Sequence, residues 1–161
     1  MQQDATDGET ARGEWEAARL DARDCWRLLA AAKVGRLALV VGGRPQIFPV
    51  NHVVDHGSVV FRTASGTKLA GIRSTTHVAF EADGVDLDEG VAWSVVLKGR
   101  ALRVTGRNQV LEAKALPIHP WHGSPKNWFV RIQPDEITGR RFRIAEPAPA
   151  STPERPDRGR P

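Results

Sequence analysis

The sequence predicts a mainly β fold, a small antiparallel barrel with peripheral helices. Three observations carry that prediction. About seven stretches have the β-branched content or the alternation of strands. Most successive stretches are joined by tight turns, which imposes antiparallel pairing. Helical spacing is confined to two or three short segments. Closing such a sheet removes its edges, so a barrel is the arrangement that leaves fewest backbone groups unpaired.

Leu20-Asp21-Ala22-Arg23-Asp24 reads as a helix start, with Asp21 as N-cap and Asp24 in the place of a capping-box Glu. Cys25, Leu28, Leu29 and Ala32 recur on one face, Trp26 falls beside it as packing, and Gly35 ends the helical region. Residues 36–41 form a first strand and Gly42-Gly43-Arg44-Pro45 a hairpin turn. The second strand, 46–54, contains Pro49, which cannot donate to a ladder and marks an edge position or a bulge. A bulge would free the main-chain groups of Val50 and Asn51. Asp55-His56-Gly57 has turn chemistry and leads to a third strand, 58–63.

The residues then become small and hydroxylated (Ala64, Ser65, Gly66, Thr67), and Lys68 opens a short helix with Leu69 and Ile72 on one face. Residues 76–82 alternate as a fourth strand. The acidic stretch 83–90 reads as a solvated loop, because its acids are not spaced as in a calcium loop. Residues 91–105 form a long strand in which Gly99 marks a bend or bulge. A helix over 108–116 and an irregular loop over 117–125 follow. A last pair of strands, 127–133 and 136–144, is expected around Pro134-Asp135. There is no internal repeat.

The chain has 161 residues, enough for one domain. Residues 1–19 carry five acidic and two basic side chains, and residues 145–161 hold five prolines with balanced charge. Both ends are expected to be disordered, leaving one domain over 20–144. The whole chain is +4 and its first 19 residues are −3, so residues 20–144 carry +7. A basic domain favours an anionic partner. Cys25 is the single cysteine, so no internal disulfide forms. No stretch approaches the ~20 apolar residues of a membrane span, and no basic-then-apolar leader is present. These features predict a cytoplasmic protein without membrane partners.

The strongest local signal for chemistry is the corner at 63–68. Free N–H groups at a helix start, the hydroxyls of Thr63, Ser65 and Thr67, and the ammonium of Lys68 make a phosphate cradle. His119-x-x-His122 lacks a second pair of ligands, so no metal is expected. No nucleophile elbow or Cys/His pair points to hydrolysis. His52 reads as a surface or hairpin histidine, or as a proton donor near a bound ring. Trp93-Ser94 reads as core packing, or as an indole and hydroxyl lining a flat ligand. Arg140, Arg141 and Arg143 read as a solvated strand or an anion contact. Nucleic acid is not favoured, because no helix-turn-helix, zinc-finger or aromatic RNA-binding signature accompanies the charge.

Several stretches come in a characteristic order: Val34-Gly35-Arg36-Leu37-Ala38, Pro49-Val50-Asn51, the run from Phe61 to Leu69, Trp93-Ser94-Val95-Val96 with Gly99-Arg100-Ala101, and Phe129-Val130-Arg131-Ile132 with Ile137-Thr138-Gly139. Together they resemble the pyridoxamine 5′-phosphate oxidase-like family of flavin-binding split β-barrels. The resemblance covers roughly residues 20–144. It implies a six- to seven-stranded antiparallel split barrel of the FMN-binding type, assembled as a homodimer with the cofactor at the subunit interface.

Carried over by position, the resemblance implies that Val50 and Asn51 meet the flavin ring and ribityl chain. Arg62, Thr63, Ser65, Thr67 and Lys68 hold the phosphate, and Trp93 and Ser94 approach the isoalloxazine from the partner subunit. Arg140 takes a C-terminal cofactor contact. Arg62 stands where the family commonly has Tyr, which adds a second cation. The vitamin B6 oxidases carry an Arg–His segment near the C-terminus, whereas Arg140-Arg141-Phe142-Arg143 has no histidine. The implied function is therefore an FMN-dependent oxidoreductase acting on an unknown small molecule other than pyridoxamine phosphate. The alternatives are deazaflavin as the cofactor, or a non-catalytic flavin-, deazaflavin- or haem-binding carrier or sensor.

Overall fold

The computed structural model describes residues 17–74, 76–118 and 127–144. Along them run β1 (Ala18–Leu20), α1 (Ala22–Ala31), β2 (Val34–Val41), β3 (Arg44–Asp55) and β4 (Ser58–Thr63). These are followed by α2 (Thr67–Ser74), β5 (His77–Asp86), β6 (Val91–Arg103), α3 (Arg107–Ala115) and β7 (Trp128–Arg143). Every strand pairing is antiparallel. The order is β1-β7-β4-β3-β2-β5-β6, and a further β6–β7 ladder closes β2 to β7 into a barrel, with β1 appended to β7.

Alternation fills the interior. In β2, Gly35, Leu37 and Leu39 are buried while Arg36 and Val40 face out. Phe61, Phe80, Val95, Leu97, Val130 and Ile132 join them in one core. Burying each such side chain contributes about 1.5–3 kcal/mol. The helix α1 starts as its sequence predicts, with the Asp24 N–H donating to Asp21 Oδ1 at 2.7 Å. Its Cys25 and Leu29 are fully buried, and the Cys25 thiol is pushed up in pKa, first by burial and then by Asp21 and Asp24.

Four expectations need correction, and one open alternative is decided. Gly35 lies within β2 rather than ending the helix, and a Cβ there would come 2.1 Å from the Phe80 ring. Of the two readings of Pro49 the edge position holds, because the β2–β3 register runs without a break through Arg36↔Pro49. The strand β5 continues to Asp86, so the acidic loop is shorter than its composition suggests. The two final strands are one, with Asp135 absorbed as an extra residue where the β6–β7 register shifts at Lys98/Gly99. Finally, Ala18 and Arg19, at the end of the acidic N-terminal segment, pair with Arg141 and Arg140 in β1. The His119 and His122 pair lies outside the described residues.

Candidate functional site

The strands β3 and β4 part halfway along their length. Their ladder runs from Asp55↔Ser58 to His52↔Phe61 and stops. Beyond that point β3 stays with β2, and β4 continues with β7 to Thr63↔Trp128. Among the described residues, 44–51 of β3 have no strand partner on their second edge, and Pro49 sits there, where a missing donor costs little. The chain leaves β4 at Ala64, turns at Gly66 (φ +151°) and enters α2 at Thr67. A Cβ at Gly66 would meet nothing within 4 Å, and Ser65, Gly66 and Thr67 are exposed. The corner is open to a ligand.

The first intrahelical bond of α2 runs from Ala70 N to Gly66 O at 2.9 Å, so the positive end of the helix lies at this corner. The Lys68 ammonium stands 5.3 Å from the Phe48 ring of β3, tying α2 to the free strand edge by a cation–π contact. Arg62 holds its guanidinium 5.1 Å from the Phe129 ring. Trp128 donates its indole N–H to Ser65 Oγ at 3.2 Å, and Arg103 covers the indole at 3.6 Å from its centroid. Hydroxyls, a helix start and the Lys68 ammonium make a donor array that suits a phosphate.

The structure gathers Thr63, Ser65, Thr67 and Lys68 around this corner, with Asn51 at the point where β3 and β4 separate, whereas the Arg62 side chain lies over Phe129, in the separate cluster of Val60, Ala113 and Ile118. Thr63 is buried and gives its hydroxyl proton to Ala64 O at 3.2 Å, so it braces the turn. Val50 points into the core. Asn51 Nδ2 donates to Lys33 O at 3.4 Å, anchoring the segment between α1 and β2. Trp93, Ser94 and Arg140 form a second group. They lie side by side on β6 and the far end of β7, away from Trp128 at its start. The Trp93 indole covers Gly84 across the hairpin, where a Cβ would sit 2.6 Å from the ring. Ser94, Arg140 and Arg19 share a cavity of about 440 Å³.

His52 forms the last rung of the β3–β4 ladder, and its side chain is not at the surface. It is buried, and its Nε2 hydrogen-bonds Leu29 O at 2.9 Å. Its ring meets Phe80 edge-on at 4.8 Å, and burial lowers its pKa. Reading the sequence missed Phe48, Trp128, Phe129 and Arg103. Phe48 and Phe129 sit within motif stretches or next to one, but their pairing with Lys68 and Arg62 appears only once strands are in register.

A family model described as pyridoxamine 5′-phosphate oxidase matches residues 21–141. The uncharacterised Mycobacterium tuberculosis protein Rv0080 is 37% identical over 132 residues, covering 79% of this chain and 86% of that protein. A Corynebacterium glutamicum structure, named provisionally as a pyridoxamine 5′-phosphate oxidase, superposes with a TM-score of 0.71 at 35% identity, over 81% of this chain and 96% of that one. The FAD binding protein from Mycobacterium smegmatis superposes with a TM-score of 0.66 at 40% identity, over 78% of this chain and all of that one (100%).

Proposed function

The chain belongs to the pyridoxamine 5′-phosphate oxidase family, and from that premise we propose that it is an FMN-dependent oxidoreductase acting on a small molecule. The observation that carries this reading is the open Gly66–Lys68 corner, where a helix start, hydroxyls and the Lys68 ammonium converge beside the edge of β3 that has no strand partner among the described residues. That corner takes the phosphate of the flavin, and the edge of β3 at Val50 and Asn51 runs alongside its ring and ribityl chain. The similarity to the Mycobacterium smegmatis protein, which binds FAD, supports a flavin as the ligand class.

A bound isoalloxazine supplies the hydride or electron transfer. The residues of this chain hold and orient it. Lys68 acts as a point charge on the phosphate, with Ser65 and Thr67 as hydroxyl donors. The second group, Trp93, Ser94 and Arg140, serves the pocket of a partner subunit in a homodimer. The exposed apolar side chains Val40 and Ile47, 50% and 68% exposed on the outer face of the β2–β3 hairpin, give such a partner something to cover.

Purification and mass identification of the bound chromophore test the assignment. FMN supports it, whereas deazaflavin or FAD changes the cofactor and a colourless protein that takes up no flavin sinks it. Anaerobic bleaching by a reduced nicotinamide or deazaflavin, followed by reoxidation with a candidate acceptor, separates an enzyme from a carrier or sensor. Light scattering that gives twice the 17.6 kDa chain mass supports the dimer.

A further inference from the structure

We infer that Trp128 is a positioning residue that turns Ser65 into a dedicated donor for the phosphate end of the ligand. The inference rests on the flavin reading and deepens it. A serine hydroxyl has one proton and two acceptor positions, and its rotor is ordinarily free. Here the Trp128 N–H donates to Ser65 Oγ at 3.2 Å and occupies one acceptor position. The hydroxyl proton must then point away from the indole. Among the described residues no acceptor takes that proton. Ser65 is itself exposed, next to Gly66 and the start of α2, so the free direction is toward the open corner.

The indole is in turn fixed from two sides. Trp128 pairs with Thr63 at the end of the β4–β7 ladder, which sets its height along the strand. Arg103 stacks 3.6 Å from the ring centroid, close enough to fix the ring plane and to polarise the N–H toward stronger donation. Arg103 is held there because the chain just after it is pinned by Val104 N donating to Phe129 O at 2.9 Å. A chain of contacts thus runs Arg103–Trp128–Ser65 and ends on a donor directed at an oxyanion. It gives selectivity for phosphorylated over unphosphorylated ligand, with no contact from Trp128 to the ligand itself.

The test compares FMN with riboflavin, which lacks the phosphate, by flavin-fluorescence titration of the full chain. The wild type is expected to prefer FMN. Trp128→Phe keeps an aromatic ring under Arg103 and removes only the N–H. It should weaken FMN binding about three- to tenfold, the worth of one hydrogen bond, while riboflavin affinity stays as in the wild type. Ser65→Ala should produce a similar loss, and the double variant should be no worse than Ser65→Ala alone. An unchanged FMN-to-riboflavin ratio in Trp128→Phe, or losses that multiply in the double variant, overturns the inference while the flavin reading stands. A wild type that binds neither flavin overturns both.

Discussion

Lys68 is the residue on which the proposed site most depends. Its ammonium is the point charge at the helix start and is already drawn toward the strand edge by Phe48. Lys68→Ala is expected to lower FMN affinity roughly tenfold, the scale of a charge-assisted hydrogen bond, with the thermal midpoint almost unmoved because the side chain is half-exposed. Gly35 shows the opposite behaviour. It is buried in β2, and Phe80 occupies the space of its Cβ. Gly35→Ala should cost about 1–3 kcal/mol of stability by overpacking, read as a shift of the urea midpoint. His52 adds a pH dependence. Desolvation in the core favours its neutral form, so its folded-state pKa lies below the unfolded value of about 6.5. Its contribution is complete above that pH and is lost as pH falls below it, because the unfolded chain takes up the proton first. Among the described residues, burial and the Leu29 carbonyl are what shift the ring, and no charged side chain does. Stability should therefore decline between pH 7 and 5, and the decline should be shallower in His52→Phe, whatever that variant's overall stability.

At the scale of elements, the β3–β4 hairpin is fastened to β7 by one arginine. Arg131 donates to Asp55 Oδ2 at 2.7 Å, to Asp55 O at 3.2 Å and to Ser58 Oγ. The pair is partly buried and carries three hydrogen bonds, so it is worth more than a fully exposed ion pair. The guanidinium holds the Asp55 carboxyl below its ordinary pKa, followed by smaller help from His56. That stabilisation is present above the unfolded value near 3.9 and disappears as pH falls through the lower folded value. Arg131→Ala is expected to cost about 1–3 kcal/mol, since it strands the partly buried Asp55 carboxylate, and hydrogen exchange should quicken in the hairpin before the rest of the barrel. The hairpin itself was legible, because Asp55-His56-Gly57 announces a turn: Gly57 has φ +67° and even His56 is drawn to φ +46°. The course of β7 was not legible. Pro134-Asp135 has turn chemistry, but the bulge lets the strand pass through it, and Gly99 is needed opposite because a Cβ there would come 2.1 Å from Gln133 O. A local signal at residue 134 was overruled by a partner thirty-odd positions earlier.

For the whole molecule, the antiparallel barrel could be anticipated because short strands and tight turns leave few other closures. The proposed cradle could be read as a unit because residues 62–68 are contiguous in sequence. Its walls could not, since Phe48, Arg103 and Trp128 reach it from three different strands. Composition alone predicts that deleting residues 146–161, rich in proline, leaves the thermal midpoint within a degree or two, and differential scanning fluorimetry checks this. Barrel closure has a different consequence, which concerns synthesis. β7 pairs with β1, β4 and β6, so until it emerges the β4-β3-β2-β5-β6 sheet stays unclosed, with β4 and β6 as open rims. While the chain is still emerging from the ribosome, those rims are templates for pairing with a neighbouring nascent copy. A stop codon anywhere before Trp128 would make this condition permanent, and the fragment should collect in inclusion bodies rather than survive as a smaller barrel.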